Sequence, residues 1–322
     1  MVCGWETGGG STQESGVRGC FAARGTFARE AYFNMRFTPL FLTVFFSAIV
    51  AQAEIRVVGS DLFGKDFTTA LAAYSKRNDL DLKLKLEGSR TGLGELQAGR
   101  AELGLVVFSP GEKRPEAPFV ILPVAYHTVV VVVPATLPLT QITFTQLNTI
   151  YGDDAQSGLK RWMDMGVTGE WAARNILPNI PGPGGGITYD LFRYTALKAP
   201  ELKPTVGVQA GLAESLSRIR GEEGGMAILP VLPANQPRLK TLLVGRGSQD
   251  VAFGPTPENI HSGDYPIRLP VYVVFRKDDA KRLQTTLRYL LSEDAVALWE
   301  NAQLVPLPIQ ARNQMIFDLE VL

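Results

Sequence analysis

Three times in this sequence a short apolar strand breaks at a run rich in glycine and a segment of helical periodicity follows; no other feature restricts the fold as much. Ile55 to Val58 reads as a strand, Gly59-Ser60 breaks it, and Phe63 to Arg77 carries apolar residues at helical spacing (Phe67, Ala70, Leu71, Tyr74). The alternation Leu80, Leu82, Leu84, Leu86 predicts a second strand, followed by Gly88-Ser89-Arg90-Thr91-Gly92, a short helix through Leu96, and a third strand from Leu103 to Phe108. Such a β-α-β-α-β series predicts an α/β fold with a mostly parallel sheet flanked by helices.

Two further long strands stand out: Val124 to Val133, with the unbroken apolar run Val129 to Val133, and Pro270 to Phe275. A strand without polar alternation is buried on both faces. Between them lies a second α/β set. It comprises a helix over Thr145 to Tyr151, a strand over Asn175 to Ile180, the turn Gly182 to Gly186 with its helix into Tyr194, a helix over Leu212 to Arg220, and a strand over Met226 to Leu229. Residues 277–300 form an amphipathic helical region. With 322 residues, 45% of them hydrophobic, the chain has material for two ordinary cores.

The start of the chain reads as an address. From Met35 a single Arg36 precedes an apolar run, Leu40 to Val50, and then Ala51-Gln52-Ala53. This is the pattern of a cleaved export signal over 35–53, with the cut before Glu54. The run is too short for the roughly 20 residues that span a bilayer. Residues 1–34, without hydrophobic periodicity, are expected to be a non-native extension, with Met35 the true start. Both cysteines, Cys3 and Cys20, lie there, so the mature chain has no thiol for a disulfide, a nucleophile or a metal. Lys+Arg and Asp+Glu are both 32, which gives no basic excess for nucleic acid.

The order of motifs resembles the periplasmic phosphate-binding proteins, the solute receptors of ABC importers. Six segments carry the likeness: VVGSDLFGKDFTTALAAYSK, LEGSRTGLGELQAGRAELGLV, LPVAYHTVVVVVP with ITFTQLNTIYGD, GGGITYDLFRYTALK, GGMAILP and GDYPIRLPVYVVFRK. The resemblance implies two lobes joined by two crossing strands, Tyr126 to Pro134 and Leu269 to Phe275. Lobe 1 would combine 54–127 with 270–322, and lobe 2 would be the inserted 128–269. It further implies a small anion held in the interlobe cleft, delivery to an ABC permease, a periplasmic monomer and no enzymatic activity or cofactor.

Each glycine turn leaves unpaired N–H groups at a helix N-terminus, where an anion is favoured and glycine permits close approach. Three such termini on one cleft would bind an oxyanion without a basic surface. The expected ligand-binding residues are Ser60, Asp61, Ser89, Arg90, Thr91, Gly185, Gly186 and Thr188. Ser89 matches the hydroxyl that the phosphate receptors place in the second turn. Asp61 stands where they have a hydroxyl, Val107 or Phe108 where they have an acid, and Pro181 where they have an arginine. Arg90 is the expected compensating charge, with Arg90 or Lys65 pairing with Asp61, and Thr188 the replacement hydroxyl. Asp61 reads equally as the N-cap of the helix beginning near Phe63.

Other readings compete. Gly59 to Asp66 nearly spells a phosphate-cradling P-loop, but Asp66 replaces the hydroxyl that holds magnesium. The two histidines, His127 and His261, have no nucleophile elbow or metal-ligand partner nearby in sequence, so a hydrolase is disfavoured. A periplasmic sensor or partner-binding protein with a degenerate anion site is the alternative that keeps the fold.

Overall fold

A computed structural model describes residues 54–109, 111–153, 158–197, 201–221 and 225–322. The expected extension (1–34) and export signal (35–53) lie outside the described residues. Among the described residues, no helix is long and apolar enough to cross a membrane.

The chain begins with β1 (Ile55–Gly59), α1 (Gly64–Arg77), β2 (Leu82–Lys85), α2 (Ser89–Gln97), β3 (Leu103–Val107) and β4 (Phe119–Thr128). There follow β5 (Val130–Pro134), β6 (Gln141–Thr143), α3 (Phe144–Tyr151), β7 (Leu177–Pro181), α4 (Thr188–Ala196), β8 (Gly207–Gln209), α5 (Leu212–Gly221) and β9 (Gly225–Leu229). The chain closes with β10 (Leu239–Thr241), β11 (Leu243–Gly245), α6 (Pro257–Ser262), β12 (Arg268–Arg276), α7 (Ala280–Leu291), α8 (Val296–Asn301), β13 (Val305–Pro306) and α9 (Ile309–Val321).

Two main sheets organise these elements, in the orders β13-β4-β12-β3-β1-β2 and β10-β5-β9-β7-β8, with a small β11-β6 pair beside them. Parallel ladders join β2, β1 and β3 in the first sheet and β9, β7 and β8 in the second. These are the strands of the β-α-β series. The remaining main-sheet pairs are antiparallel, so both sheets are mixed. The reason is the crossing: β4 runs out of the first sheet and β12 returns into it, so the two must be opposed.

The apolar run expected as one strand from Val124 to Val133 is two strands. β4 ends at Thr128 in the first sheet and β5 begins at Val130 in the second, with Val129 between them. The return segment braces this step. Val129 N–H donates to the Ile267 carbonyl (3.2 Å), the Thr128 hydroxyl to the same carbonyl (2.9 Å), and the buried Tyr265 hydroxyl to the Val129 carbonyl (2.7 Å). Backbone groups freed where the chain changes sheet are thus satisfied across the crossing.

Apolar strands are covered on both faces, as their composition requires. In β3, Leu103, Leu105 and Val107 join a core with Phe63, Phe67 and Trp299, while Val106 faces Leu96 of α2. In β5, Val131 and Val133 face one core and Val130 and Val132 another, under Leu216 and Ile219 of α5. The C-terminal helical region divides at Glu293–Ala295, a 3-10 turn separating α7 from α8.

Candidate functional site

The first two glycine turns are stitched into one structure at the carboxyl ends of β1 and β3. Gly88 N–H donates to the Gly59 carbonyl (2.7 Å) and Ser60 N–H to the Leu105 carbonyl (2.8 Å). A Cβ on Gly59 would sit 1.8 Å from the Leu105 carbonyl oxygen, and one on Gly92 would sit 2.6 Å from the Gly59 nitrogen. Glycine is required there because helix and strand backbones touch. The Ser89 hydroxyl accepts from Val107 N–H (2.9 Å), which ties the start of α2 to the end of β3.

Ser60 is buried and its hydroxyl accepts from Leu62 N–H (3.2 Å), capping a 3-10 turn over Asp61–Phe63. The cap is therefore Ser60, and Asp61 is an exposed first-turn acid. This geometry also disposes of the P-loop likeness. The Ser60, Leu62 and Gly64 amides, which would cradle a phosphate, are committed to Leu105, Ser60 and Asp61.

The third turn belongs to the other sheet. Gly182 N–H donates to the Gln209 carbonyl (2.8 Å), Pro183–Gly185 make a 3-10 turn, and Gly186 follows with φ 96°, before α4 begins at Thr188. The first three N–H groups of α2 (Ser89, Arg90, Thr91) and of α4 (Thr188, Tyr189, Asp190) lack acceptors within their helices.

A cleft of about 910 Å³ lies between these turns. The first lobe contributes Ser60, Asp61, Leu62, Ser89, Arg90, Val107, Ser109 and Glu112, and the second Pro183, Gly186, Ile187, Asp190, Leu191, Tyr194 and Thr195. Leu269, at the returning crossing strand, also reaches it. Of the expected site residues, Ser60, Asp61, Ser89, Arg90 and Gly186 thus share one cavity. Thr91 is exposed and does not line it, and Thr188 is buried beneath α4 and does not line it. Gly64 and Lys65, at the start of α1, open instead onto a neighbouring pocket of about 360 Å³. Two α-helix termini therefore face the cleft rather than the three expected.

Charge in the cleft differs from the expectation too. Neither Arg90 nor Lys65 pairs with Asp61 among the described residues, and the Asp61 and Arg90 side chains have no hydrogen-bond partner there. Sequence reasoning missed Glu112, Asp190 and Tyr194. Glu112 comes from the loop after β3, the region where Val107 and Phe108 had suggested that an acid was lost; its Oε2 accepts from Ser109 N–H (2.8 Å). Asp190 and Tyr194 lie one turn apart on α4, a spacing visible in the sequence but indistinguishable there from a solvated face.

The histidines lie apart from the cleft wall. His127 is buried on β4 beside the crossing, with no hydrogen-bond partner for Nε2 among the described residues, and burial lowers its pKa to about 4. His261 Nδ1 meets the Tyr126 hydroxyl at 2.9 Å, and burial, with Arg268 nearby, lowers its pKa.

Two α/β lobes joined by crossing strands, with helix termini on a shared cleft, define the binding-protein class of fold. The chain belongs to the PBP superfamily domain family, whose model matches residues 47–294. It is 23% identical over 284 residues to the phosphate-binding protein PstS of Pseudomonas aeruginosa, covering 83% of this chain and 87% of that protein. Its fold is that of a possible phosphate binding protein from Planctomyces limnophilus (TM-score 0.62, 20% identity, 84% of this chain and 98% of that one). It is also that of an ABC-type phosphate transport receptor from Vibrio cholerae (TM-score 0.55, 18% identity, 78% and 99%).

Proposed function

We propose that this chain is an exported, monomeric solute-binding protein that captures a tetrahedral oxyanion, phosphate or a relative of it, between its lobes and delivers it to an ABC permease. Lobe 1 in this reading is 54–127 with 270–322, and lobe 2 is 128–269. The observation that carries it is the pair of helix starts, α2 from one lobe and α4 from the other, on a single cleft with Ser89, Arg90 and Gly186. Preorganised amides and one guanidinium bind an anion without requiring a basic protein. Contacts are assigned to the cleft-lining Ser60, Asp61, Ser89, Arg90 and Gly186, with the expected Thr91, Gly185 and Thr188 beside the cleft rather than on its wall. Kinship with phosphate-binding relatives and the leader pattern at 35–53 support the transport and export parts of the reading.

A thermal-shift screen against phosphate, sulfate, molybdate and phosphonates tests it. A ligand at 100 times its Kd stabilises the folded state by about 2.7 kcal/mol, a shift of several degrees at most. No shift with any tetrahedral anion at millimolar concentration would remove the reading and leave the sensor or partner-binding role in its place.

A further inference from the structure

The charges on the cleft wall are lopsided for a bare anion. Among the described residues, three carboxylates, Asp61, Glu112 and Asp190, line it against the single guanidinium of Arg90. One carboxylate is enough to accept the proton of a monohydrogen oxyanion; a second and third oppose the ligand unless it also carries positive charge.

The charges are also arranged by element. The first turn of α2 contains no acid and carries Ser89 and Arg90, so its terminus is the electropositive end of the cleft. The first turn of α4 contains Asp190, whose carboxylate offsets the positive end of its own helix. Four residues on, Tyr194 is 80% exposed and lines the same cleft. Ile187, Asp190, Leu191, Tyr194 and Thr195 follow the i, i+3, i+4, i+7, i+8 pattern, so one face of α4 forms wall for about 10 Å beyond its start. A bare tetrahedral ion occupies only the first turn of a helix. A wall of that length in a 910 Å³ cleft suits a larger ligand.

Building on the oxyanion reading above, we infer that the ligand is a zwitterion, a phosphonate or phosphate monoester bearing an ammonium group. Its oxyanion sits at the start of α2 against Ser89 and Arg90, and its ammonium sits against Asp190 and the Tyr194 ring. The carboxylate supplies a charge-assisted hydrogen bond and the ring a cation–π contact, and both gain as lobe closure removes water.

Calorimetric titration of the whole chain with three probes tests the assignment: 2-aminoethylphosphonate, propylphosphonate, which is similar in shape without the charge, and inorganic phosphate. The expected order places aminoethylphosphonate at least tenfold tighter than either of the others. Asp190→Asn should weaken aminoethylphosphonate at least fivefold and tighten phosphate, because the carboxylate attracts one ligand and repels the other. Tyr194→Leu should weaken aminoethylphosphonate more than propylphosphonate. If aminoethylphosphonate and propylphosphonate bind alike, or Asp190→Asn weakens every ligand equally, the zwitterion assignment falls while the oxyanion reading stands. If none of the three probes nor sulfate binds, both fall together.

Discussion

The glycine turn at β1 and the glycine turn before α4 look alike in sequence and are packed differently. At the first, Gly59, and Gly92 of α2 stitched against it, are glycines because backbone lies where a Cβ would be, 1.8 and 2.6 Å away. At the second, a Cβ on Gly182 would meet the Val208 side chain at 2.9 Å, but nothing lies within 4 Å of one placed on Gly184 or Gly186. The first turn is fixed by packing within its own lobe. The second is anchored at Gly182 and open at Gly184 and Gly186. A glycine-rich strand-to-helix turn is thus no single signal: backbone packing requires Gly59 and Gly92, a positive φ of 96° suits Gly186, and Gly184 is held by neither.

This contrast can be broken by substitution. Gly59→Ala should be the most damaging, costing about 4 kcal/mol or more, since it drives a methyl into the Leu105 carbonyl and disrupts β1 and β3 together. Gly92→Ala should cost about 2–3 kcal/mol by pushing α2 off β1. Urea denaturation of both variants checks these values, and loss of less than 1 kcal/mol in either would show that the turn relaxes.

A second contrast separates the two histidines. His127 is held neutral by burial beside the crossing strands, whereas His261 is less buried and bonded to Tyr126. The folded-state pKa of His127, about 4, lies below its ordinary value of 6.5, so the unfolded chain takes up a proton first as pH falls. Its contribution is complete above pH 6.5 and is lost on the way down to about 4. Between pH 6.5 and 5 this amounts to about 2 kcal/mol. Denaturation midpoints at the two pH values should show that loss in the parent, and His127→Leu should lack it; an unchanged slope in the variant would place the acid sensitivity elsewhere.

The smallest expected effect is at the open turn. Gly184→Ala has no atom to meet, so stability should change by less than about 0.5 kcal/mol, in either direction. A large loss would mean that the third turn is as tightly packed as the first.

Much of the architecture was legible because unbroken apolar runs such as Leu103 to Phe108 have only one use, a strand covered on both faces. The break at Val129 was not legible: five valines in a row carry no mark of the residue at which the chain changes sheets, which is fixed by hydrogen bonds to Ile267 and Tyr265. α9 was missed because apolar residues lie all round it: Ala311, Met315, Ile316 and Leu319 pack on the core, while Ile309, Phe317 and Val321 are exposed. At the site, turn residues such as Ser89 and Arg90 were legible from their place between strand and helix. Glu112, Asp190 and Tyr194 were not, because residues far apart in the chain become one wall only when two lobes meet. The expected Asp61 pairing failed for the same reason: adjacency of turns in sequence order does not set the direction of their side chains.

The central claim is that an oxyanion binds at the start of α2, with Arg90 supplying the cleft's positive charge. Titrating phosphate and 2-aminoethylphosphonate into the parent and into Arg90→Ala tests it most directly. Arg90 is exposed and has no partner among the described residues, so the variant should melt like the parent without ligand. The account predicts that its affinity for whichever anion the parent binds falls at least tenfold, about 1.4 kcal/mol or more. A variant that binds with the Kd of the parent would contradict it.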